Sequence, residues 1–252
     1  MKRVERVSET EVIAEFLRNE FYQSDFHRDR DKFERIVLNP DFTDELENAV
    51  RRALLFRRRG HMWRELPADT EWWRIQLEPR DLERIRVFPR AHWRKIGDGN
   101  FQLTEIARRI RGNHFNGSVR DFVSKIQALS YRLRQENDNS AVLLIGIDEN
   151  YPLTILEGNH RVCAALLAST EHLCRQFRVL VGFSPHMRNS CWYETNWQTL
   201  WHYLKNRVRN FDNREADVAL ARALVSARAP AVVASAPDVS AESAAFESKQ
   251  AS

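Results

Sequence analysis

The stretch from Thr154 to Ala168 reads as a short apolar run, an acidic residue, one glycine, three residues rich in hydrogen-bond donors, and then a tail of small and apolar residues. That text predicts a buried strand ending in a glycine turn that opens directly into a helix packed nearly all round. The first turn of such a helix leaves backbone N–H groups without partners, and the positive end of its dipole stands behind them. The junction is therefore a candidate anion site. Gly158 lets the backbone approach a ligand closely, Asn159, His160 and Arg161 add donors on the first helical turn, and Arg161 brings a permanent charge with a forked geometry. A structural reading of the same residues stays open, with Glu157 and Arg161 forming a local ion pair and His160 serving as an interior histidine.

The rest of the chain divides by pattern. Residues 1–66 read as a helical extension, with Ser8 and Glu11 in capping-box spacing ahead of Val12, Phe16 and Leu17. A second helix is predicted to open near Thr43, turning Arg51, Arg52, Arg57, Arg58 and Arg59 outward as a basic face. Residues 67–186 are mixed. Trp73, Ile75 and Leu77 alternate as in a half-buried strand, and Leu103 to Ile110 form an amphipathic helix. Ser118 and Asp121 suggest the capping box of a helix striped with Phe122, Ile126, Leu129 and Leu133. Ala141 to Ile147 and Pro152 to Leu156 read as a hairpin around Asp148, Glu149 and Asn150, and Phe177 to Phe183 as another buried strand.

Residues 187–227 read as a helical cap. Thr195 and Gln198 have capping-box spacing, Trp197, Leu200, Trp201, Leu204 and Val208 mark one face, and a second helix is expected from Asp212. Residues 228–252, rich in Ala, Ser and Pro, are expected to be disordered. Most of the seven tryptophans are expected in the core.

With 39 basic and 35 acidic residues the 252-residue chain carries a formal charge of +4, but the charges are interleaved, which argues against a dedicated polybasic arm and leaves an anionic ligand open. At 43% hydrophobic the chain has the material for a sizeable core. It has no run of about 20 apolar residues and no signal-peptide pattern, so a cytoplasmic protein with no membrane partner is expected. Cys163, Cys174 and Cys191 include no paired spacing and are expected to be reduced. The histidines show no zinc-site spacing.

The Glu157-Gly158-Asn159-His160-Arg161 turn resembles the acidic-Gly-x-His-Arg turn of the ParB and sulfiredoxin superfamily, with Gly158, His160, Arg161 and Ala164 at matching positions. The likeness runs from about Trp72 to Phe183, and the Val87 to Pro89 region falls where family members approach their nucleotide. It implies an α/β (α+β) fold with a small mixed sheet, carrying the two helical extensions. It also implies a nucleoside triphosphate, ATP or CTP, with Mg²⁺. In that frame Gly158 and Asn159 give backbone N–H groups to the phosphates, and His160 and Arg161 stabilise charge on the transferred group. Arg90 and Lys95 reach the same anion from a facing loop, and Trp93 stacks the base. Glu157 either binds Mg²⁺ or orients Arg161, with Glu157, His160 and Arg161 as the catalytic set; Asp148 and Glu149 are weaker candidates for metal or base.

Two departures shape the expectation. Asn159 stands where a sulfiredoxin has its cysteine, so that reductase chemistry is not expected. The helices after Thr195 do not supply the DNA-binding and dimerisation modules of a partition protein. The expected function is nucleotide binding with phosphoryl transfer to a small-molecule acceptor, or hydrolysis, the helical additions building an acceptor pocket over the turn. The alternatives are a DNA-associated binder or nuclease using the Arg51 to Arg59 face, and a non-catalytic ligand-sensing module.

Overall fold

The computed structural model describes residues 1–27, 30–112, 114–136 and 138–228. Six strands, β1 (Lys2–Val7), β2 (Glu71–Gln76), β3 (Ile85–Val87), β4 (Ala141–Gly146), β5 (Leu153–Glu157) and β6 (Arg178–Phe183), form one mixed sheet in the order β1-β2-β6-β4-β5-β3. The β4–β5 hairpin is antiparallel, β4 runs parallel to β6 from Ala141↔Arg178 to Gly146↔Phe183, and β3 runs parallel to β5. Every residue of β4 is buried because both faces of the sheet are covered. Val142 and Leu144 point into one core, and Ala141, Leu143 and Ile145 into the other, as the two-residue strand period requires.

The first core lies under α4 (Ala91–Gly97), α5 (Leu103–Gly112), α6 (Gly117–Leu133), α7 (Asn159–Ala168) and α8 (Thr170–Gln176). The second lies under α1 (Glu9–Glu20), α2 (Arg30–Leu38), α3 (Glu45–Trp63) and part of α9 (Trp197–Arg228). The mixed α+β class read from the sequence is thus observed, and the hairpin and the last strand fall where predicted. The expected disordered tail lies outside the described residues beyond 228. No helix among the described residues is long and apolar enough to cross a membrane.

Several local expectations change. The 1–66 segment opens with β1, an edge strand whose residues are almost all exposed. Its alternating charges disguised it, and they suit an unpaired sheet edge. Arg6 pairs with Glu71 at 2.9 Å, and the Arg3 guanidinium lies 4.7 Å over the Trp73 ring. The Ser8–Glu11 capping box is present: Glu11 N donates to Ser8 Oγ at 3.2 Å and Ser8 N to Glu11 Oε2 at 2.6 Å. Ser8→Ala is expected to cost about 1 kcal/mol, seen as a melting point lower by roughly 2–4 °C in calorimetry.

The boxes proposed further along shift instead. α6 starts from Asn116, ahead of Ser118, with no side-chain cap. The last helix is capped by Asn196 and Thr199, which exchange hydrogen bonds at 2.9 and 3.0 Å, and not by Thr195 and Gln198.

Arg51 does not belong to a basic face. It is fully buried, donates to the carbonyls of Ile36 (3.0 Å) and Asp41 (2.9 Å), and pairs with Glu47 at 3.3 Å, tying the end of α2 and the following loop to α3. Inside α3 the helix is interrupted at Arg59, whose φ of −136° and ψ of 20° kink the chain.

The largest departure is α9. It is one continuous helix with no break at Asp212, and the stripe that marks its sequence faces solvent. Trp197 is 83% exposed, Trp201 68%, Leu204 44%, Val208 63% and Phe211 77%. Thr199, Asn206 and Asn210 point inward. Asn206 donates to Glu65 at 2.5 Å, and Asn210 sits so close to α3 that a Cβ on Gly60 would meet its Oδ1 at 1.9 Å. One matched pair, Asn206 with Glu65, links this face of α9 to the residues just after α3, while Asn210 Oδ1 is buried against Gly60 without a hydrogen-bond partner.

Candidate functional site

β5 ends at Glu157 and α7 begins at Asn159, joined through Gly158 at φ 101° and ψ 12°. That left-handed conformation suits glycine, and a Cβ there would stand 3.2 Å from a methyl group of Val142. Across the turn Arg161 meets Glu157 at 2.5 Å. Arg161 also donates to the Ala141 carbonyl at 3.2 Å, to Asn19 Oδ1 at 3.5 Å and to the hydroxyl of Ser140. Asn19 on α1 completes the set, donating to Glu157 Oε2 at 3.0 Å and to the Ala141 carbonyl at 2.9 Å.

The local ion pair that the sequence left open is therefore present. The Gly158 backbone N–H also favours the charged form of the Glu157 carboxylate. The anion held by this N–H and by Arg161 is the chain's own, so these two donors, expected to face phosphates, face Glu157. Burial pushes the Glu157 carboxyl above its ordinary range; Arg161, Asn19 and the Gly158 N–H oppose the shift, while neighbouring Glu20 adds to it.

Beside the turn lies a cavity of about 440 Å³. α1 supplies Phe16, Asn19 and Glu20 to its wall, α3 supplies Arg59 and Met62, and the core supplies Arg90, Trp93 and the residues from Leu156 to Arg161. The N-terminal helices thus build a pocket over the turn, whereas α9 does not line it. Arg59 meets Glu20 at 3.5 Å. Arg90 lies 5.5 Å over the Trp192 ring, and no ion pair joins it to a carboxylate among the described residues. Partial desolvation, and then the charge on Arg59, lower the Arg90 pKa. The same field reaches His61 on α3: burial first, then Arg59, Arg207 and Arg90, push its pKa down to about 4. This end of the cavity is electropositive.

Asn159 is 8% exposed, and its Oδ1 has no hydrogen-bond partner. The His160 ring packs on Trp93 at 5.5 Å and Phe122 at 5.0 Å, and burial together with Arg90 and Lys125 lowers its pKa, so it is neutral near pH 7. Trp93 is 4% exposed; it lines the wall and also meets Phe122 edge-on. Lys95, expected to reach the anion, is exposed on α4 and takes no part in the cavity.

Mg²⁺ requires oxygen ligands with free lone pairs. Glu157 Oε2 already accepts from both Arg161 and Asn19, and the described residues contain no group of three or more candidate metal ligands. Of the two roles read for Glu157, the contact with Arg161 is the one seen here. Asp148 caps the hairpin turn by accepting the Asn150 N–H at 2.7 Å, and Glu149 pairs with Arg3 on β1, so neither reaches the cavity. The cysteines are free, and burial pushes the Cys163 thiol up to about 12, which makes it a poor nucleophile.

Asn19, Glu20, Asp138 and Ser140 enter the site without a local signal in the sequence, and Arg59 enters it from the basic run read there. Only the position of Asn19 and Glu20 beside the apolar stripe of α1 placed them near a packed surface. No protein-family model, no curated protein and no solved structure matches this chain.

Proposed function

We propose that the protein binds a nucleoside phosphate in the cavity between the Gly158 turn and the N-terminal helices. The observation that carries this reading is Arg90, a guanidinium open to the cavity beside Arg59 with no carboxylate of its own among the described residues. Two adjacent guanidiniums at the edge of a desolvated pocket favour an anion, and their forked donors suit phosphate. Asn159, whose buried Oδ1 has no hydrogen-bond partner, lines the same wall. In this reading the phosphates lie towards Arg59 and Arg90, while Glu157 and Arg161 hold the turn in shape.

The reading extends to hydrolysis of the nucleotide or phosphoryl transfer to a small molecule, with Glu157 as proton acceptor and neutral His160 as a donor at the cavity rim. The strand, glycine turn and helix, following a hairpin, support a ParB and sulfiredoxin-like core. DNA binding through the Arg51 to Arg59 face has less support, since Arg51 is buried and Arg52 meets Glu9 at 2.8 Å.

The test is thermal stability against ATP, CTP, GTP and their diphosphates, because a ligand bound only by the folded chain raises its melting point. At 100-fold saturation one nucleotide is expected to add about 2.7 kcal/mol. Arg90→Ala is expected to abolish the shift and leave the ligand-free melting point within roughly 2 °C, as for other exposed substitutions. No shift with any nucleotide, or an undiminished shift in Arg90→Ala, would sink the reading. Phosphate release then separates turnover from ligand sensing.

A further inference from the structure

The exposed residues of α9 stand at positions 197, 201, 204, 208 and 211, a spacing of four, three, four and three. That is the heptad seam of a helix whose partner is another helix. A globular surface helix turns a wider apolar stripe inward, and here the inward residues beside the seam are Thr199, Asn206 and Asn210, with Tyr203 half-buried among them. Lys205 and Arg207 flank the seam on its two sides, and no acidic residue occurs between Trp197 and Phe211.

We propose that two copies of this chain associate through antiparallel pairing of their α9 seams, crossing at Leu204. Area supports a second copy as the occupant. With about 200 Å² for a full aromatic side chain, the fractional exposures of these five residues amount to roughly 700 Å² per copy, so two copies bury on the order of 1,400 Å², within the range of stable interfaces.

Size fixes the direction. An antiparallel crossing at Leu204 sets Trp201 opposite the partner's Val208, a large side chain against a small one, and Trp197 opposite the partner's Phe211 at the outer ends of the seam. A parallel pair would stack each tryptophan on its own copy. The antiparallel crossing also lays the cationic half of one seam, Lys205 to Arg209, over the aromatic half of the other, where cations meet indole faces. The shared positive charge remains as a residual repulsion that salt screens. Association is therefore expected to tighten as ionic strength rises, opposite to an interface made by ion pairs.

The experiment is sedimentation equilibrium of the full chain from micromolar to about 100 micromolar, at low and high salt. The wild type is expected to dimerise, more tightly in high salt. Trp201→Glu is expected to weaken dimerisation at least about 30-fold, as loss of a central tryptophan does, with an unchanged circular dichroism spectrum because the side chain is exposed. Leu204→Cys is expected to cross-link readily under mild oxidation and Phe211→Cys poorly. A monomer at every concentration and salt, or a dimer indifferent to Trp201→Glu, overturns the proposal, and efficient cross-linking through Phe211→Cys overturns the antiparallel register. Uptake of a monomeric wild type onto anionic phosphatidylserine vesicles, lost in Trp201→Glu, would assign the seam to a lipid surface instead.

Discussion

Arg161→Leu is expected to destabilise the protein by about 3–5 kcal/mol at neutral pH, the cost of stranding one member of a buried ion pair. Glu157 would keep Asn19 and the Gly158 N–H but lose its counter-charge, while the Ser140 hydroxyl and the Ala141 carbonyl would each lose a donor. The effect depends on pH in a definite direction. Burial already raises the Glu157 pKa in the folded chain above its unfolded value, so the folded state holds this proton more tightly. The stability linked to that proton is fully present in acid and is lost as pH climbs from the ordinary carboxylate range through the raised value. Without Arg161 the folded pKa rises further. The gap between wild type and variant should therefore widen with rising pH and narrow in acid. Urea titrations at pH 5 and pH 8 measure it, and an equal gap at both would refute the ion-pair account. Adding Glu157→Gln should recover much of the loss, since the stranded charge is then gone.

Gly158→Val is expected to cost about 3 kcal/mol, combining strain of a β-branched residue at positive φ with a crowded Cβ. The φ is 101°, and the nearest methyl group, on Val142, would stand 3.2 Å away on a strand buried on both faces. Gly158→Ala, which meets the same methyl without branching, should cost roughly half as much. Because the turn presents Asn159 and His160 to the cavity, both variants should also weaken nucleotide binding. Denaturant midpoints with and without nucleotide read the two effects separately; a valine variant as stable as alanine would mean that strain does not govern this turn.

The turn, the hairpin and β6 were legible in the sequence because each is announced by its own few residues: an alternating or continuous apolar run, turn chemistry, a helix of small residues. The ion pair between Glu157 and Arg161 was legible as one of two readings, since i and i+4 residues adjoin in a helix and its entry. What the sequence hid depends on distant partners. β1 became a strand only because β2 offers it an edge. Arg51 turned inward because carbonyls of Ile36 and Asp41 converge on one spot. The apolar spacing in α9 predicted a helix but not which way its marked face turns, because that depends on the distant contact where Asn206 meets Glu65 and Asn210 fits the notch at Gly60. The cavity is of the same kind, with walls from segments more than a hundred residues apart.

The kink in α3 joins these parts. Arg59, where the helix breaks step, hangs its guanidinium in the cavity, and the next residue, Gly60, is the point at which α9 bears on α3. α3 thus serves two neighbours from adjacent residues: any side chain added at Gly60 would displace Asn210 or this stretch of α3, and the backbone that would yield is the one carrying Arg59.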